Sequence, residues 1–141
     1  MTKMIYSSLA FIFLFSCSPE IERVVVQTYP DGKVELEQYY SFQNNDSILI
    51  KEIGYYPDGM KRIEGAYHQG MREGKWTYWF SNGNKWSEAN YKADIRDGKS
   101  TVWHENGGKY FEGNYKAGER AGRWRFWDED GSLVKDINYD E

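Results

Sequence analysis

Cysteine and long apolar segments are almost absent from this sequence. Cys17 is the single cysteine among 141 residues, which excludes a disulfide within the chain. The apolar run at residues 9–15 is shorter than the about 20 residues that a membrane-spanning helix needs, so we do not interpret it as a transmembrane anchor. Helix formers are scarce in the rest of the chain, where frequent Gly and Pro residues favour short strands over helices.

Positive charge is outnumbered by negative charge, and histidine is scarce. The net charge is −4, so the chain offers no basic face that could replace the counterions of a nucleic acid. The two histidines, His68 and His104, fall at non-equivalent places and are interpreted as surface residues. No Ser/His/Asp grouping, spaced set of metal ligands or Gly-rich phosphate loop is recognisable. We therefore expect no enzymatic activity, no metal site and no cofactor.

The N-terminus has the pattern of a bacterial export signal. Lys3 precedes the apolar run, and Cys17 follows it closely. The segment Leu14-Phe15-Ser16-Cys17 resembles the bacterial lipobox, in which the cysteine is diacylated and becomes the first residue of the mature protein. A plain secretory signal is the alternative.

This pattern predicts the domain organisation and the location of the protein. We expect residues 1–16 to be a lipoprotein signal peptide, residues 17–23 to hold the acylated Cys17 and a short linker, and residues 24–141 to form the folded domain. Several lipid chains on one cysteine bind a membrane stably. The expected location is the cell envelope, with the lipid in the outer membrane.

The rest of the sequence repeats itself with a period of 24 residues. The recurring positions are Gly59, Gly83, Gly107 and Gly131; Tyr67, Tyr91, Tyr115 and Tyr139; Gly74, Gly98 and Gly122; Trp79, Trp103 and Trp127; and Glu64, Glu88, Glu112 and Asp136. A divergent unit precedes them, because Tyr29-Pro30-Asp31-Gly32 matches Tyr56-Pro57-Asp58-Gly59. Each repeat is therefore one supersecondary unit that buries its faces against its neighbours.

Residues 74–97 show what one repeat builds. Two segments rich in aromatic or alternating residues flank Ser81-Asn82-Gly83-Asn84, which is a tight-turn sequence. This is the pattern of a β-hairpin. Repetition predicts an all-β fold: an elongated, single-layer antiparallel meander of about ten short strands.

Two turn geometries remain open, and they give different pairings. A two-residue turn at Asn82-Gly83 would place Trp76 opposite Ala89 and Gly74 opposite Tyr91. The Pro-Asp-Gly sequences favour instead a type I turn followed by a bulged Gly, which makes a three-residue loop. We predict the three-residue loop where Pro is present and leave the other turns open.

An acid recurs at one position of each repeat, which predicts a row of carboxylates. Successive members of the row lie two strands apart, about 9.6 Å from each other. They are Glu64, Glu88, Glu112 and Asp136. Salt screens such a row, because the Debye length is about 8 Å at physiological ionic strength. Nearby cations also balance it; Lys61, Lys85 and Lys109 are among them. We interpret the row as a solvated face rather than as a catalytic or metal-binding site.

Residues 74–78, 80–85 and 112–118 resemble the MORN-repeat variant of many bacterial proteins. Its pattern runs Tyr-x-Asn-Gly-Lys, then Glu-Gly-x-Tyr-x-x-Gly, then Gly-x-Trp. The resemblance implies a curved single-layer hairpin array and covers nearly all of residues 24–141. Related bacterial proteins are often labelled YwqK-type antitoxins, and eukaryotic ones act as scaffolds or in membrane-associated assemblies. This sequence departs from the pattern at Ala89, at Ser100 and at Asp94, which leaves the local register open.

Trp79, Trp103 and Trp127 are the candidate binding residues, because side-chain alternation places all three on one face. They would form either a stripe that receives a peptide or sugar rings, or a structural core of mutually stacked indoles. Both interpretations stay open at this point.

The leading functional hypothesis is a non-enzymatic lipoprotein of the bacterial envelope that acts as a protein-interaction or scaffold module. One alternative is an immunity or antitoxin-like inhibitor of an envelope-directed toxin, and another is a module that binds cell-wall glycan. The expected partners are the membrane, through Cys17, and an envelope protein. Open edge strands at residues 24–29 and 133–139 would also allow copies of the chain to associate.

Overall fold

The computed structural model describes residues 20–43 and 46–140, which form one antiparallel sheet of ten strands in sequence order. The strands are β1 (Ile21–Thr28), β2 (Val34–Gln43), β3 (Asp46–Tyr55), β4 (Lys61–His68), β5 (Met71–Trp79), β6 (Lys85–Lys92), β7 (Ile95–Trp103), β8 (Lys109–Lys116), β9 (Glu119–Trp127) and β10 (Leu133–Asn138). The predicted all-β meander of hairpins is confirmed. No helix occurs in this part of the chain, and none could therefore cross a membrane there.

The sheet begins earlier than the sequence suggested. Residues 21–23, expected to belong to the linker, are the first residues of β1. Arg23 lies opposite Tyr39 and forms an ion pair with Glu37 of β2. The predicted signal peptide at residues 1–16 and the predicted lipid attachment at Cys17 lie outside the described residues.

Five hairpins are closed by the same three-residue loop. In the loop between β5 and β6, the amide of Gly83 donates to the carbonyl of Phe80 (3.0 Å), and the amide of Phe80 donates to the carbonyl of Asn84 (2.8 Å). Gly83 has a φ of 86°, which a residue with a Cβ adopts at a cost. Equivalent hydrogen bonds close the loops that contain Gly32, Gly59, Gly107 and Gly131. The three-residue loop predicted for the two Pro-containing turns is thus confirmed, and the other three turns share it.

Each of these hairpins also carries one extra residue on its second strand. Between β5 and β6 the extra residue is Trp86, which forms a β-bulge. The bulge shifts the register by one residue, so that Trp76 lies opposite Ala89 and Gly74 opposite Tyr91. These are the pairs that the sequence predicted for a two-residue turn. This pairing was one of the two that the sequence left open, and a longer loop with a compensating bulge produces it.

The opposite ends of the strands carry tighter turns of two residues. Ala93 and Asp94 connect β6 to β7 with φ values of 49° and 67°. Such angles at both positions define a type I′ turn, which normally takes Asn or Gly. Asp94 is held there by the preceding repeat, because its carboxylate accepts hydrogen bonds from the backbone amide (3.1 Å) and from Nε (2.9 Å) of Arg72. This contact between repeats accounts for the departure of Asp94 from the Gly of the other repeats.

The core lies on one face of the sheet, here called the core face, which carries Trp76 and Trp124. Trp76 is 2% exposed and lies flat on Gly65 of β4, where a Cβ would be 2.1 Å from the indole. Its Nε1 donates to the carbonyl of Ala66 (3.0 Å), so the buried indole nitrogen is satisfied. Tyr67 contacts the ring edge-to-face at 5.1 Å between centroids.

Trp124 repeats this arrangement two hairpins further on. It is fully buried and covers Gly113, where a Cβ would be 2.2 Å from the indole. Its Nε1 donates to the carbonyl of Asn114 (3.1 Å), and Tyr115 contacts it edge-to-face at 5.0 Å. A sheet with no second layer therefore makes its core by laying a large ring on a residue that has no side chain.

We predict that Gly113→Ala destabilises the protein by about 2 kcal/mol, because the added methyl overlaps the indole of Trp124. The same substitution in a Trp124→Ser background should cost less than about 0.5 kcal/mol, since the overlap is then absent. Urea unfolding of the four proteins of this cycle gives both values. Equal costs in the two backgrounds would show that the Trp–Gly contact does not determine the packing.

Candidate functional site

The opposite face of the sheet, here called the acid face, carries the predicted row of carboxylates. Glu64, Thr77, Glu88, Thr101 and Glu112 are directly paired across β4 to β8, so they form one continuous row. Paired residues on neighbouring strands share a face of the sheet. The row that the sequence predicted is confirmed: threonines separate its first three acids, and Arg125 lies between Glu112 and Asp136.

Lysines neutralise these carboxylates within their own strands. Lys85 donates to Glu88 at 2.6 Å, and Lys109 donates to Glu112 at 2.7 Å. The hydrogen bond from Lys109 holds the pKa of Glu112 below its usual value, against the effect of partial burial. Burial raises the pKa of Glu88, but the hydrogen bond and charge of Lys85 outweigh it, and the pKa also lies below the usual range. The acids are therefore charged and paired, as expected for a solvated row.

Glu37 continues the row into β2 with different partners. It is 2% exposed and has no lysine three residues before it, since that position is Val34. Its carboxylate instead accepts hydrogen bonds from the hydroxyls of Tyr39 (2.9 Å) and Tyr55 (2.6 Å) and pairs with Arg23. Burial raises the pKa of Glu37, but these three donors more than compensate, and the pKa is lowered.

The three candidate tryptophans lie on the acid face, beside the acid row. Trp79 is paired with Lys85 and Trp103 with Lys109, so rings and lysines alternate from strand to strand. The ammonium of Lys85 lies over the ring of Trp103 at 5.7 Å, and that of Lys109 over Trp127 at 5.5 Å. We call Trp79, Lys85, Trp103, Lys109 and Trp127 the Trp–Lys ladder.

The indoles of the ladder are partly exposed and are held apart by lysines. No two of these three rings are in contact in the described structure, whereas Trp76 and Trp124 on the core face are buried among other rings. Shallow depressions flank Trp79 and Trp103, with volumes of about 470 and 220 Å³. The lysines and carboxylates of the acid row line both depressions. The ladder thus offers aromatic surface, ammonium groups and carboxylates together.

The remaining candidates for chemistry are dispersed. His68 is exposed, and Nε2 of His104 lies 3.0 Å from the carbonyl oxygen of Trp127, where it joins neighbouring hairpins. Within residues 20–43 and 46–140, no group of three His, Cys, Asp or Glu side chains is arranged to hold a metal ion. The described charged side chains of the acid face form ion pairs rather than an acid and base aimed at a common point.

Sequence reasoning did not identify which tryptophans are buried. It selected Trp79, Trp103 and Trp127 because all three recur, whereas the core position holds Trp76, Ser100 and Trp124 in successive repeats. The residue that each tryptophan faces on the neighbouring strand would have identified the buried ones. Gly65 and Gly113 underlie the two buried indoles, while Ala89 is paired with Ser100.

Comparison with protein families matched three successive parts of the chain, residues 72–93, 96–117 and 120–141, to the MORN repeat variant. Each match begins in an odd-numbered strand, passes through a three-residue loop and ends in or just after the next even-numbered strand. Comparison with curated proteins and with solved structures gave no match. The resemblance seen in the sequence is therefore supported for these three repeats.

The paired carboxylates predict how stability depends on pH. The pKa values of Glu37, Glu64, Glu88 and Glu112 are all below the ordinary 4.5, so folding favours their charged forms. That stability is present at neutral pH and is lost as the pH falls below about 4.5 towards the folded-state values. Melting temperatures measured from pH 7 to pH 3 should decline over this range.

Glu37→Gln is the informative variant for this dependence, because it leaves Arg23 without its charged partner. We expect a lower melting temperature at pH 7 and a smaller loss on acidification than in the natural protein. An unchanged slope would show that the buried carboxylate contributes nothing to the acid sensitivity.

Proposed function

We propose that this chain, whose C-terminal half consists of three MORN-variant repeats, is a non-enzymatic lipoprotein of the bacterial cell envelope that binds another protein. MORN repeats are often modules that interact with proteins or membranes. The lipobox-like segment before Cys17 supports export and acylation. The Trp–Lys ladder supports binding.

The partial exposure of the ladder indoles is the single observation that carries this proposal. The sheet buries Trp76 and Trp124 almost completely but leaves Trp79, Trp103 and Trp127 accessible along a line. Successive ladder indoles are two strands apart, about 9.6 Å, so the line is about 19 Å long. Tryptophan is enriched among the residues that dominate binding energy at protein interfaces. A line of such rings suits an extended segment of a partner protein.

The charges around the ladder favour a protein partner over a glycan. A sugar ring stacks on an indole face, and the ammonium groups of Lys85 and Lys109 already lie over Trp103 and Trp127. A sugar would have to displace both lysines from their ring and carboxylate contacts. A protein can instead contact ring edges, ammonium groups and carboxylates in place, as in the mixed polar and aromatic surfaces of many interfaces.

The position of Cys17 supports a scaffold at the membrane surface. Three residues lie between it and Ile21 at the start of β1, and the four residue steps limit the distance to about 14 Å. Nine strand intervals of about 4.8 Å place β10 about 43 Å across the sheet from β1. A lipid on Cys17 would therefore tether one end of the array and leave the repeats with the ladder available to a partner.

The anchor is tested by metabolic labelling with an alkyne fatty acid. We expect the natural chain to be labelled and to remain with the membranes, and Cys17→Ala to lose both properties. Position 17 is the one cysteine of the chain, so labelling of the Ala variant would indicate attachment through another type of residue. Absence of label on the natural chain would contradict the lipoprotein proposal.

Partner binding is tested by affinity capture from detergent-solubilised envelopes. We expect a reproducible partner with the natural chain and at least a tenfold loss with Trp79→Ala or Trp103→Ala. The control is Tyr110→Ala, which removes an aromatic residue that is 46% exposed and lies outside the ladder. Circular dichroism should show folded protein for all variants. A partner retained equally by every variant would exclude the ladder as its binding site.

A further inference from the structure

Within the three repeats of β5 to β10, the core face departs from the Trp–Gly arrangement at one place. Two indoles lie on glycines at Trp76 and Trp124, but the repeat between them has Ser100 paired with Ala89 instead. The register is unchanged there, so the missing indole is not replaced by a neighbouring residue of the same strand. A groove of about 620 Å³ opens at this position.

Aromatic side chains flank this groove as they flank the buried indoles. Trp76 is contacted edge-to-face by Tyr67 and Tyr91, at 5.1 and 6.4 Å. In the next repeat Tyr91 and Tyr115 hold the same two positions on either side of Ser100, and both line the groove. An incoming ring would find the same edge-to-face partners that the chain supplies to its own tryptophans.

The floor of the groove is closed and slightly raised. Ser100 is 2% exposed and Ala89 is 6% exposed, so the side chains around the groove cover most of both residues. The methyl of Ala89 stands where Gly65 and Gly113 have no side chain, which prevents a ring from settling as deeply as Trp76 does. A ring in this groove would lie on that methyl and remain accessible to solvent, which suits a ligand that binds reversibly.

The rim of the groove carries arginines without acidic partners. Arg96 donates to the hydroxyl of Tyr115 (3.1 Å), and Arg120 donates to the hydroxyl of Tyr139 (2.6 Å). Neither forms an ion pair with a carboxylate among the described residues, whereas Arg72 is paired with Asp94 at 2.9 Å. None of the described residues that line the groove is acidic. In a chain of net charge −4, this is a local site for a negative group.

We propose that this groove binds an aromatic side chain of a partner protein next to an acidic residue of the same segment. The ring lies on Ala89 between Tyr91 and Tyr115, and the carboxylate meets Arg96 or Arg120. Arginine and carboxylate form strong charge-assisted hydrogen bonds. Trp86, which is 49% exposed, extends the aromatic wall, so the groove can contact more of a peptide than one ring.

This inference rests on the proposed role in protein binding, but it concerns the face of the sheet opposite to the Trp–Lys ladder. Its test therefore uses no envelope extract and no acylation. The probe is the peptide Gly-Asp-Trp-Glu-Gly with 5-fluorotryptophan, observed by fluorine NMR with the detergent-solubilised full-length chain. The charge control is Gly-Asn-Trp-Gln-Gly with the same label.

We expect the fluorine resonance of the acidic peptide to shift and broaden when the chain is added. The acidic peptide should bind about tenfold more tightly than its neutral control. The variant Ala89→Gly/Ser100→Trp restores the Trp–Gly pair, so it should raise the melting temperature and abolish binding. Arg96→Gln and Arg120→Gln are exposed changes that should each weaken binding several-fold. The matched control is Arg123→Gln, which changes an arginine that is paired with Asp136 and does not line the groove, and it should leave binding unchanged.

No signal change with the natural chain would overturn the proposal, as would equal binding of the two peptides. Equal binding by the natural chain and the groove-filling variant would also overturn it. If the groove-filling variant does not fold, the two arginine substitutions decide, and unchanged affinity in both would reject the site. If the peptide does not bind the groove but a partner is captured from envelopes through the ladder, the groove proposal is rejected and the proposed function stands.

Discussion

The contact between a buried indole and the glycine beneath it is the interaction on which this structure depends. A single sheet has no second layer against which to bury apolar surface, so its hydrophobic contacts must form within one face. Trp76 on Gly65 and Trp124 on Gly113 achieve this by placing a large flat ring where the neighbouring strand has no side chain. The indole nitrogen reaches a carbonyl of that strand, so the contact satisfies its polar group as well. These two pairs tie β4 to β5 and β8 to β9, and each thereby joins one hairpin to the next.

The two faces of the sheet differ in composition, because the core face buries apolar rings and the acid face carries ion pairs. The buried rings lie on the core face, while the acid face has carboxylates that are matched by lysines from the same strand, as in the pair Lys85–Glu88. Exposed ion pairs contribute little stability individually. Their regular placement also keeps the acid face hydrophilic, although tryptophans lie on the same face. The sheet can therefore expose Trp103 without creating a continuous apolar patch.

The repeat period, the hairpins, the number of strands and the acid row could all be predicted from the sequence, because each depends on residues that recur at fixed spacing. The bulge at Trp86 could not, because turn sequences specify the loop but not the residue that leaves the ladder of hydrogen bonds further along the strand. The buried tryptophans were missed for a related reason. Burial depends on what lies on the neighbouring strand, and Trp103 recurs as regularly as any residue while facing lysines. The predicted lipid site at Cys17 stays a prediction, since it lies outside the described residues.

The departures from the repeat are more informative about function than the repeat itself. Ala89 and Ser100 both differ from the repeats on either side of them, and each change alone would be unfavourable. The methyl of Ala89 would keep an indole at position 100 from lying as deep as Trp76 does, and Ser100 facing a glycine would leave a larger void. The two changes together keep the register and replace one core contact with an accessible groove. The groove lies between two repeats that both retain their indoles. An isolated loss of stability would be expected to fall at a terminal repeat, where packing is already incomplete. A matched pair of changes between two intact Trp–Gly contacts is the arrangement that a binding groove requires, because the flanking repeats hold its walls in place.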